Sequence, residues 1–355
     1  MTLRAEIDGS HDLVSLKFPL LRRGGVTRAC PPGWSTAAFA PLALLLAALP
    51  AAGSAQTYPN RPVRALVSFA PGGATDILAR QISQKLSEAF GHQFIVDNRA
   101  GGSGIIAATM AKEAPPDGHT IFFATISTLA ANVATINRLP YDPLRDYAPI
   151  TLTASNPYFL CVHPSVPASS TRDFIALARA KPGQLNYASS GTGGGVHLAL
   201  EMFRAAAKLD MVHIPYKGAA PSMTELLAGH VQMSFLQPAV MLQPAKAGRL
   251  KVLGVTSLKP LPSWPDAPPI AEAGLPGFEA SSWQGVVVPA ATPKPIVSRL
   301  HEEIVKALHS KEIEGRLVAE GTEVWGNSPE EFGRYIRNEI AKWKKVVKEA
   351  GIQVE

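Results

Sequence analysis

Residues 64–76 read RALVSFAPGGATD, in which an alternating strand pattern runs directly into a glycine-rich turn and then into residues at helical spacing. The same arrangement recurs in FIVDNRAGGSG (94–104) and in QLNYASSGTGGG (184–195). Such a turn leaves unpaired backbone N–H groups at the positive end of a helix dipole, and glycine lets a ligand approach them closely. Three of these turns predict a receptor for a small molecule that bears a carboxylate.

The order of strands and helices around these turns predicts an α/β fold. Three strands alternate with two helices over residues 64–124, which is typical of a parallel sheet with helices on both faces. Residues 170–257 repeat that rhythm, so a second doubly wound unit is expected. Two amphipathic helices, carrying apolar residues over 296–308 and 332–347, have no strand after them and are expected to pack on the first sheet.

The chain is expected to cross between the two units near residues 153–159 and again near residues 281–285. Lobe 1 is then formed by residues 56–155 and 283–355, and lobe 2 by residues 156–282. Two crossover segments that join two doubly wound lobes predict a hinged clamp of the Venus flytrap type. Its ligand is expected between the carboxyl ends of the strands.

Residues 1–55 have the pattern of a secretory signal peptide. Arg22, Arg23 and Arg28 precede an apolar run from Ala37 to Leu49, and small residues allow a cut after Ala55. The apolar run is too short for a membrane span. The segment is long for a signal, so an over-extended N-terminal reading frame is a second interpretation of its first 25 residues. Export to the periplasm is expected in either case.

Composition and charge argue against several classes of protein. The net charge of +6 is spread along the chain, and the basic residues near the C-terminal end are interpreted as a solvated helix face rather than a nucleic-acid or membrane site. The single cysteine after residue 55, Cys161, is predicted to be a buried hydrophobe, so no internal disulfide is expected. The sequence shows no nucleophile–base pair and no metal-ligand spacing. We therefore expect no catalytic residue and no metal site. The protein is also expected to be a monomer.

A nucleotide-dependent α/β enzyme is the alternative of a different class. Residues 102–107 follow a predicted strand and fit G-x-G-x-x-A, the pattern of a dinucleotide-binding turn. No acidic residue ends a second strand about 20 positions later, where that fold places one. An export signal is also unusual for such enzymes, so the binding protein remains the preferred interpretation.

Seven segments together resemble the Bug family of periplasmic solute-binding proteins, the receptors of tripartite tricarboxylate transporters. They are YPNRPVRALVSFAPGGATDILAR (58–80), VDNRAGGSG (96–104), PDGHTIFFAT (116–125), KPGQLNYASSGTGG (181–194), VHIPYKGAAPSMTELLAGHVQMSF (212–235), AGRLKVLGVTS (247–257) and PPIAEAGLPGFEASSWQG (268–285). The resemblance implies a periplasmic binding protein-like fold, no cofactor, no catalysis, and a small organic acid as ligand: a di- or tricarboxylate or an aromatic acid. Its partners are then the permease subunits of a transporter or, as an alternative, a sensor kinase of a two-component system.

The resemblance also implies candidate ligand-binding residues. The first loop gives Pro71, Gly72, Gly73, Ala74, Thr75 and Asp76, the second gives Gly101, Gly102 and Ser103, and the lobe-two loop gives Ser189, Ser190, Gly191, Thr192 and Gly193. Ser127, beyond the third strand, and Gln237 complete the set.

Three of the polar residues in or near these loops have a more specific interpretation. We expect Asp76 to cap the first turn of its helix rather than face a ligand carboxylate, which it would repel. Arg99 is expected to hold Asp97. Leu236 and Gln237 stand where many relatives place Asp-Asn, which removes a counter-charge for a ligand ammonium and favours a plain acid over an amino acid.

Overall fold

The computed structural model describes residues 58–349, which form two β-sheets with helices packed against them. The predicted signal peptide and its cleavage site lie outside the described residues. The strands are β1 (Val63–Val67), β2 (Phe94–Asn98), β3 (Thr120–Thr125), β4 (Tyr147–Pro157), β5 (Phe159–Val162), β6 (Asn186–Ser189), β7 (Val212–Pro215), β8 (Met233–Leu236), β9 (Lys251–Val255), β10 (Ser281–Pro289) and β11 (Glu323–Val324). The helices are α1 (Ala74–Phe90), α2 (Ile105–Lys112), α3 (Asn132–Thr135), α4 (Thr171–Ala180), α5 (Gly195–Ala207), α6 (Ala219–Leu227), α7 (Pro238–Lys246), α8 (Lys294–Leu308), α9 (Lys311–Ala319) and α10 (Pro329–Glu349).

Sheet one has the strand order β11-β4-β10-β3-β1-β2, and sheet two has the order β7-β6-β8-β5-β9. The predicted parallel pairing is confirmed for β1 with β2 and β3, and for β6 with β7 and β8. Each sheet also contains antiparallel strands that the sequence pattern did not predict: β10 and the short edge strand β11 in sheet one, and β5 in sheet two. Both sheets are therefore mixed.

The antiparallel direction of β5 and β10 results from how the chain passes between the lobes. β4 runs with the parallel strands of sheet one, and only Tyr158 separates it from β5 in sheet two. A strand that arrives from the other lobe begins at the side of the sheet where the parallel strands end. It must then run in the direction opposite to theirs. β5 and the returning β10 both do so, and both are antiparallel for this reason.

Helices cover both faces of each sheet, as a doubly wound fold requires. On sheet one, Leu300 and Ile304 of α8 are buried in the cluster that also holds α1, whereas Phe332 and Ile336 of α10 are buried with α2 on the other face. The two C-terminal amphipathic helices thus pack on the first sheet, as predicted. Each fully buried side chain of this size contributes roughly 1.5–3 kcal/mol to folding.

Sheet two has the same layered construction. Phe174 of α4 and Phe203 of α5 are buried on one face, and Leu226 of α6 and Met241 of α7 on the other. Cys161 is buried among the second group, which confirms its prediction as a core residue, and burial raises the pKa of its thiol. Within residues 58–349 no helix is both long enough and apolar enough to span a lipid bilayer.

The glycine-rich turns lie at the carboxyl ends of β1, β2 and β6, where each leads into α1, α2 or α5. β1 and β2 belong to sheet one and β6 to sheet two, so the turns come from both lobes. Hydrogen bonds between them, described below, show that they meet across the cleft.

Candidate ligand-binding cleft

The first loop presents the N-terminus of α1 to the cleft. Gly73 is the N-cap residue of α1, so the N–H groups of the first turn follow directly after the loop. Gly72 has φ +84°, a conformation that favours glycine. Gly73 has φ −80°, a conformation that is open to any residue, so a side chain there would not strain the backbone.

The side chain of Asp76 stabilises the first loop. One carboxylate oxygen accepts the Gly72 N–H at 2.9 Å, and the other accepts the Asn98 amide at 2.9 Å. Arg80 makes an ion pair with the same carboxylate at 2.9 Å. Burial alone would raise the pKa of Asp76, but these donors lower it below its usual range. The interpretation of Asp76 as a capping residue is confirmed.

The second loop is a run of left-handed backbone. Gly101, Gly102, Ser103 and Gly104 have φ values of +135°, +52°, +49° and +90°. A Cβ on Gly104 would lie 2.5 Å from the Cγ2 of Thr128, so only glycine fits there. Arg99, just before the loop, pairs with Asp97 at 2.9 Å, as predicted.

The lobe-two loop is held by two histidines that sequence analysis did not assign to the site. The His213 Nε2 lies 2.6 Å from the Ser189 hydroxyl, and the Nδ1 of His197 accepts the Gly193 N–H at 3.0 Å. The two imidazoles stack at 4.0 Å between centroids. Burial and the neighbouring His197 lower the pKa of His213 to about 4, so this ring is neutral near pH 7. The two histidines therefore stabilise the conformation of the lobe-two loop.

The loops of the two lobes touch each other. The Ser103 hydroxyl donates to the Thr192 carbonyl, and the Ser127 hydroxyl accepts the Gly195 N–H at 2.9 Å. Farther along the seam, the Ala70 N–H donates to the Lys217 carbonyl at 3.2 Å. The described conformation is therefore a closed one. In it, hydrogen-bond donors of each lobe are bonded to acceptors of the other lobe.

A small chamber of about 40 Å³ remains between the lobes next to the first loop. Its lining includes several of the predicted residues: Gly73, Ala74, Thr75, Asp76, Ser127, Ser190 and Gln237. The lining also includes Thr125 and Tyr158, whose buried hydroxyls make no hydrogen bond of standard geometry within residues 58–349. Because buried hydroxyls are normally satisfied, these two are candidate partners for a ligand. We call this space the inner chamber.

A larger chamber of about 330 Å³ adjoins it, and Phe69 and Ser190 line both. Five other predicted residues line this outer chamber: Gly101, Gly102, Ser103, Gly191 and Thr192. Lys217 is the one charged residue of its lining. The inner and outer chambers together form the candidate cleft.

Four predicted residues line neither chamber: Pro71, Gly72, Ser189 and Gly193. Their structural roles differ. Ser189 is completely buried against His213, and Gly193 donates to His197 and accepts from Thr135. Conversely, Phe69, Thr125, Tyr158 and Lys217 were missed. The sequence did point to Lys217, because this residue lies in PYKG, within the segment 212–235 that resembles the Bug family.

This arrangement would offer an anion backbone N–H groups and hydroxyls rather than a cluster of cations. In the described part of the chain, no group of three or more His, Cys, Asp or Glu side chains could hold a metal ion.

Comparison with known proteins agrees with this geometry. The family model of the tripartite tricarboxylate transporter family receptor matches residues 78–352. Protein BugT of Bordetella pertussis is 33% identical over 305 residues, which cover 85% of this chain and 93% of BugT. Rpa4515 of R. palustris, solved with adipate, superposes with a TM-score of 0.81 at 38% identity, over 84% of this chain and 100% of that one. MatC from Rhodopseudomonas palustris, solved with malate, gives 0.79 at 30% identity over 82% and 100%.

Family and fold are those of periplasmic solute-binding proteins and not of enzymes, which overturns the alternative of a nucleotide-dependent enzyme. Residues 102–107 match a dinucleotide turn only because both kinds of site place glycines before a helix. The predicted two-lobed fold is confirmed by the same structures. By its sequence, its fold and the construction of its cleft, the chain belongs to the Bug family of tripartite tricarboxylate transporter receptors.

Proposed function

We propose that the protein is a periplasmic receptor that captures a small organic acid, with a diacid as the best fit, for a tripartite tricarboxylate-type transporter. The observation that carries this proposal is the inner chamber. There, the helix N-terminus after Gly73 lines one space together with the buried hydroxyls of Thr125 and Tyr158, which make no hydrogen bond of standard geometry within residues 58–349. The Tyr158 hydroxyl interacts with the Ser282 side chain, which lines the same space. Fixed donors converging on a confined space are what a carboxylate requires. The adipate and malate complexes of Rpa4515 and MatC support the same class of ligand.

The charges around the inner chamber favour a plain acid over an amino acid. Asp76 is the one carboxylate in its lining, and both of its oxygens are already engaged by groups of its own lobe. Glu201, a second acidic candidate for a ligand ammonium, is bonded to Arg204 and to Tyr187. The Gln237 amide donates to Ser282 at 2.7 Å and carries no charge. A ligand ammonium would find no free counter-charge among these groups.

The expected affinity follows from the donor set. Each charge-assisted hydrogen bond contributes roughly 1.5–3 kcal/mol net. Four or five of them give micromolar binding or better after the cost of association. Closure of the lobes removes water and strengthens every bond, because the local dielectric constant falls.

Binding is tested with a thermal-shift screen followed by calorimetry on the chain from residue 56. The panel contains adipate, malate, succinate, phthalate and benzoate, with aspartate and glutamate for comparison. We expect a diacid to raise the melting temperature by mass action and to bind with a micromolar or lower Kd. No response to any acid, or tenfold tighter binding of the amino acids (about 1.4 kcal/mol), contradicts the proposal. Mass spectrometry of the recovered ligand checks that it is unchanged.

Export and lobe organisation complete the proposal. We propose cleavage after Ala55, lobe 1 from residues 56–155 and 283–355, and lobe 2 from residues 156–282. N-terminal sequencing of protein from the periplasmic fraction tests the cleavage site. Delivery to a transporter is tested by ligand uptake in cells that lack the receptor or the permease. A sensor kinase as partner predicts instead that loss of the receptor changes transcription while uptake is preserved.

A further inference from the structure

The segment Pro215–Gly218 lies at the seam between the lobes, on the side of the outer chamber. The carbonyl of Lys217 accepts the Ala70 N–H, one residue before the first loop begins. A Cβ on Gly218 would lie 3.2 Å from the same nitrogen, so the two backbones are packed closely. The backbone of Lys217 is therefore fixed against the opposite lobe while its side chain stays exposed.

The ammonium of Lys217 has no partner within residues 58–349: it makes neither an ion pair nor a side-chain hydrogen bond there. No carboxylate lines the outer chamber with it. The other polar groups of the lining are the left-handed turn Gly101–Ser103, the loop Ser190–Thr192 and Tyr216. An unpaired cation among backbone donors makes this chamber a second place that favours negative charge.

We propose that Lys217 binds the second carboxylate of a linear diacid whose first carboxylate occupies the inner chamber. This inference rests on the proposed function and makes it more specific. The two chambers share Phe69 and Ser190 as walls, so an unbranched chain lying along Phe69 places one acid group in each. The volume of about 330 Å³ accommodates several methylene groups beside the acid. The residue thus selects diacids over monoacids of the same length.

The test compares adipate with hexanoate, which has the same six-carbon chain and one acid group fewer. Calorimetry measures both ligands on the wild-type protein and on Lys217→Met, Lys217→Arg and Lys259→Met. Lys259 is an exposed lysine of the same lobe that lines neither chamber, so its variant controls for the change in net charge. Circular dichroism and the melting temperature without ligand check folding.

We expect Lys217→Met to weaken adipate binding about tenfold or more, since one charge-assisted bond is lost. Hexanoate binding should change less than twofold, Lys217→Arg should retain most of the adipate affinity, and Lys259→Met should alter neither ligand. Equal adipate affinity of Lys217→Met and wild type overturns the assignment. An equal loss for both ligands overturns it as well, because Lys217 then only supports the loop. If the wild-type protein binds no acid at all, the proposed function fails together with this inference.

Discussion

Ser127 and Gly195 join the two lobes through one buried hydrogen bond: the hydroxyl at the end of β3 accepts the N–H of the first residue of α5 at 2.9 Å. This N–H belongs to the first turn of α5 and has no acceptor within its own helix. The bond thus satisfies a donor of lobe 2 with an oxygen of lobe 1, and it can form only when the cleft is closed.

Removal of that oxygen should favour the open cleft. In Ser127→Ala, closure buries the Gly195 N–H without a partner, which costs about 1–3 kcal/mol, whereas the open form leaves it to water. We expect affinity for the best acid to fall about tenfold, and small-angle scattering to show a more extended particle without ligand. Thr224→Ala, which removes an exposed hydroxyl of α6, serves as the control. Unchanged scattering and affinity would mean that this bond does not contribute to closure.

Substitution of Gly73 separates binding from folding. Its φ of −80° suits any residue, and a Cβ would meet the Ala70 carbonyl at 3.8 Å and the Ala219 Cβ at 4.0 Å. The γ-methyls of Gly73→Val extend farther, into the approach to the α1 N–H groups. We expect a folded protein that has lost nearly all affinity in calorimetry. Gly315→Val, at an open position of α9, is the matched control. Wild-type affinity in Gly73→Val would remove the first loop from the site.

Gln237→Asp tests the preference for plain acids. Gln237 lines the inner chamber beside Ser282, so a carboxylate there would face the carboxylate of the ligand. Like charges repel strongly in a closed, poorly hydrated space. We predict at least a tenfold loss of diacid affinity, measured by calorimetry, together with a gain for aspartate or glutamate. A loss of affinity for both the diacid and the amino acids, or an unchanged affinity for both, would show that the charge at position 237 does not discriminate between these ligands.

The buried imidazole predicts how stability depends on pH. His213 titrates near pH 4 in the folded protein and near pH 6.5 when unfolded. Between these values the unfolded chain binds more protons, so the free energy of unfolding falls as the pH is lowered from about 6.5 to 4. Melting temperatures across this range should fall in the wild type and fall less in His213→Gln. Parallel curves for the two proteins would assign the acid sensitivity to other groups.

Sequence patterns predicted what is encoded locally. The glycine turns, the helices that follow them and the αL residue Gly91 at the end of α1 depend on neighbours a few residues apart. The antiparallel direction of β5 and β10 depends instead on the path of the chain between distant segments, which local periodicity does not contain.

The candidate site shows the same division. Ser103 was a candidate ligand-binding residue, and its hydroxyl donates to the Thr192 carbonyl, 89 residues away in the other lobe. The roles of Lys217 and Tyr158 likewise become visible only when two lobes form a common wall. Residue type and spacing identified the loops, whereas the partners of each loop required the folded chain.

The strands that carry the chain between the lobes, β4 and β10, pair with each other up to the crossing, where Ser282 lies opposite Asn156. Ser282 belongs to this ribbon and Tyr158 follows β4 directly; both residues line the inner chamber. A ligand in the inner chamber would therefore contact residues at the crossing between the lobes as well as the glycine-rich loops. Because residues at that crossing also line the chamber, its occupancy would be coupled to the relative position of the two sheets.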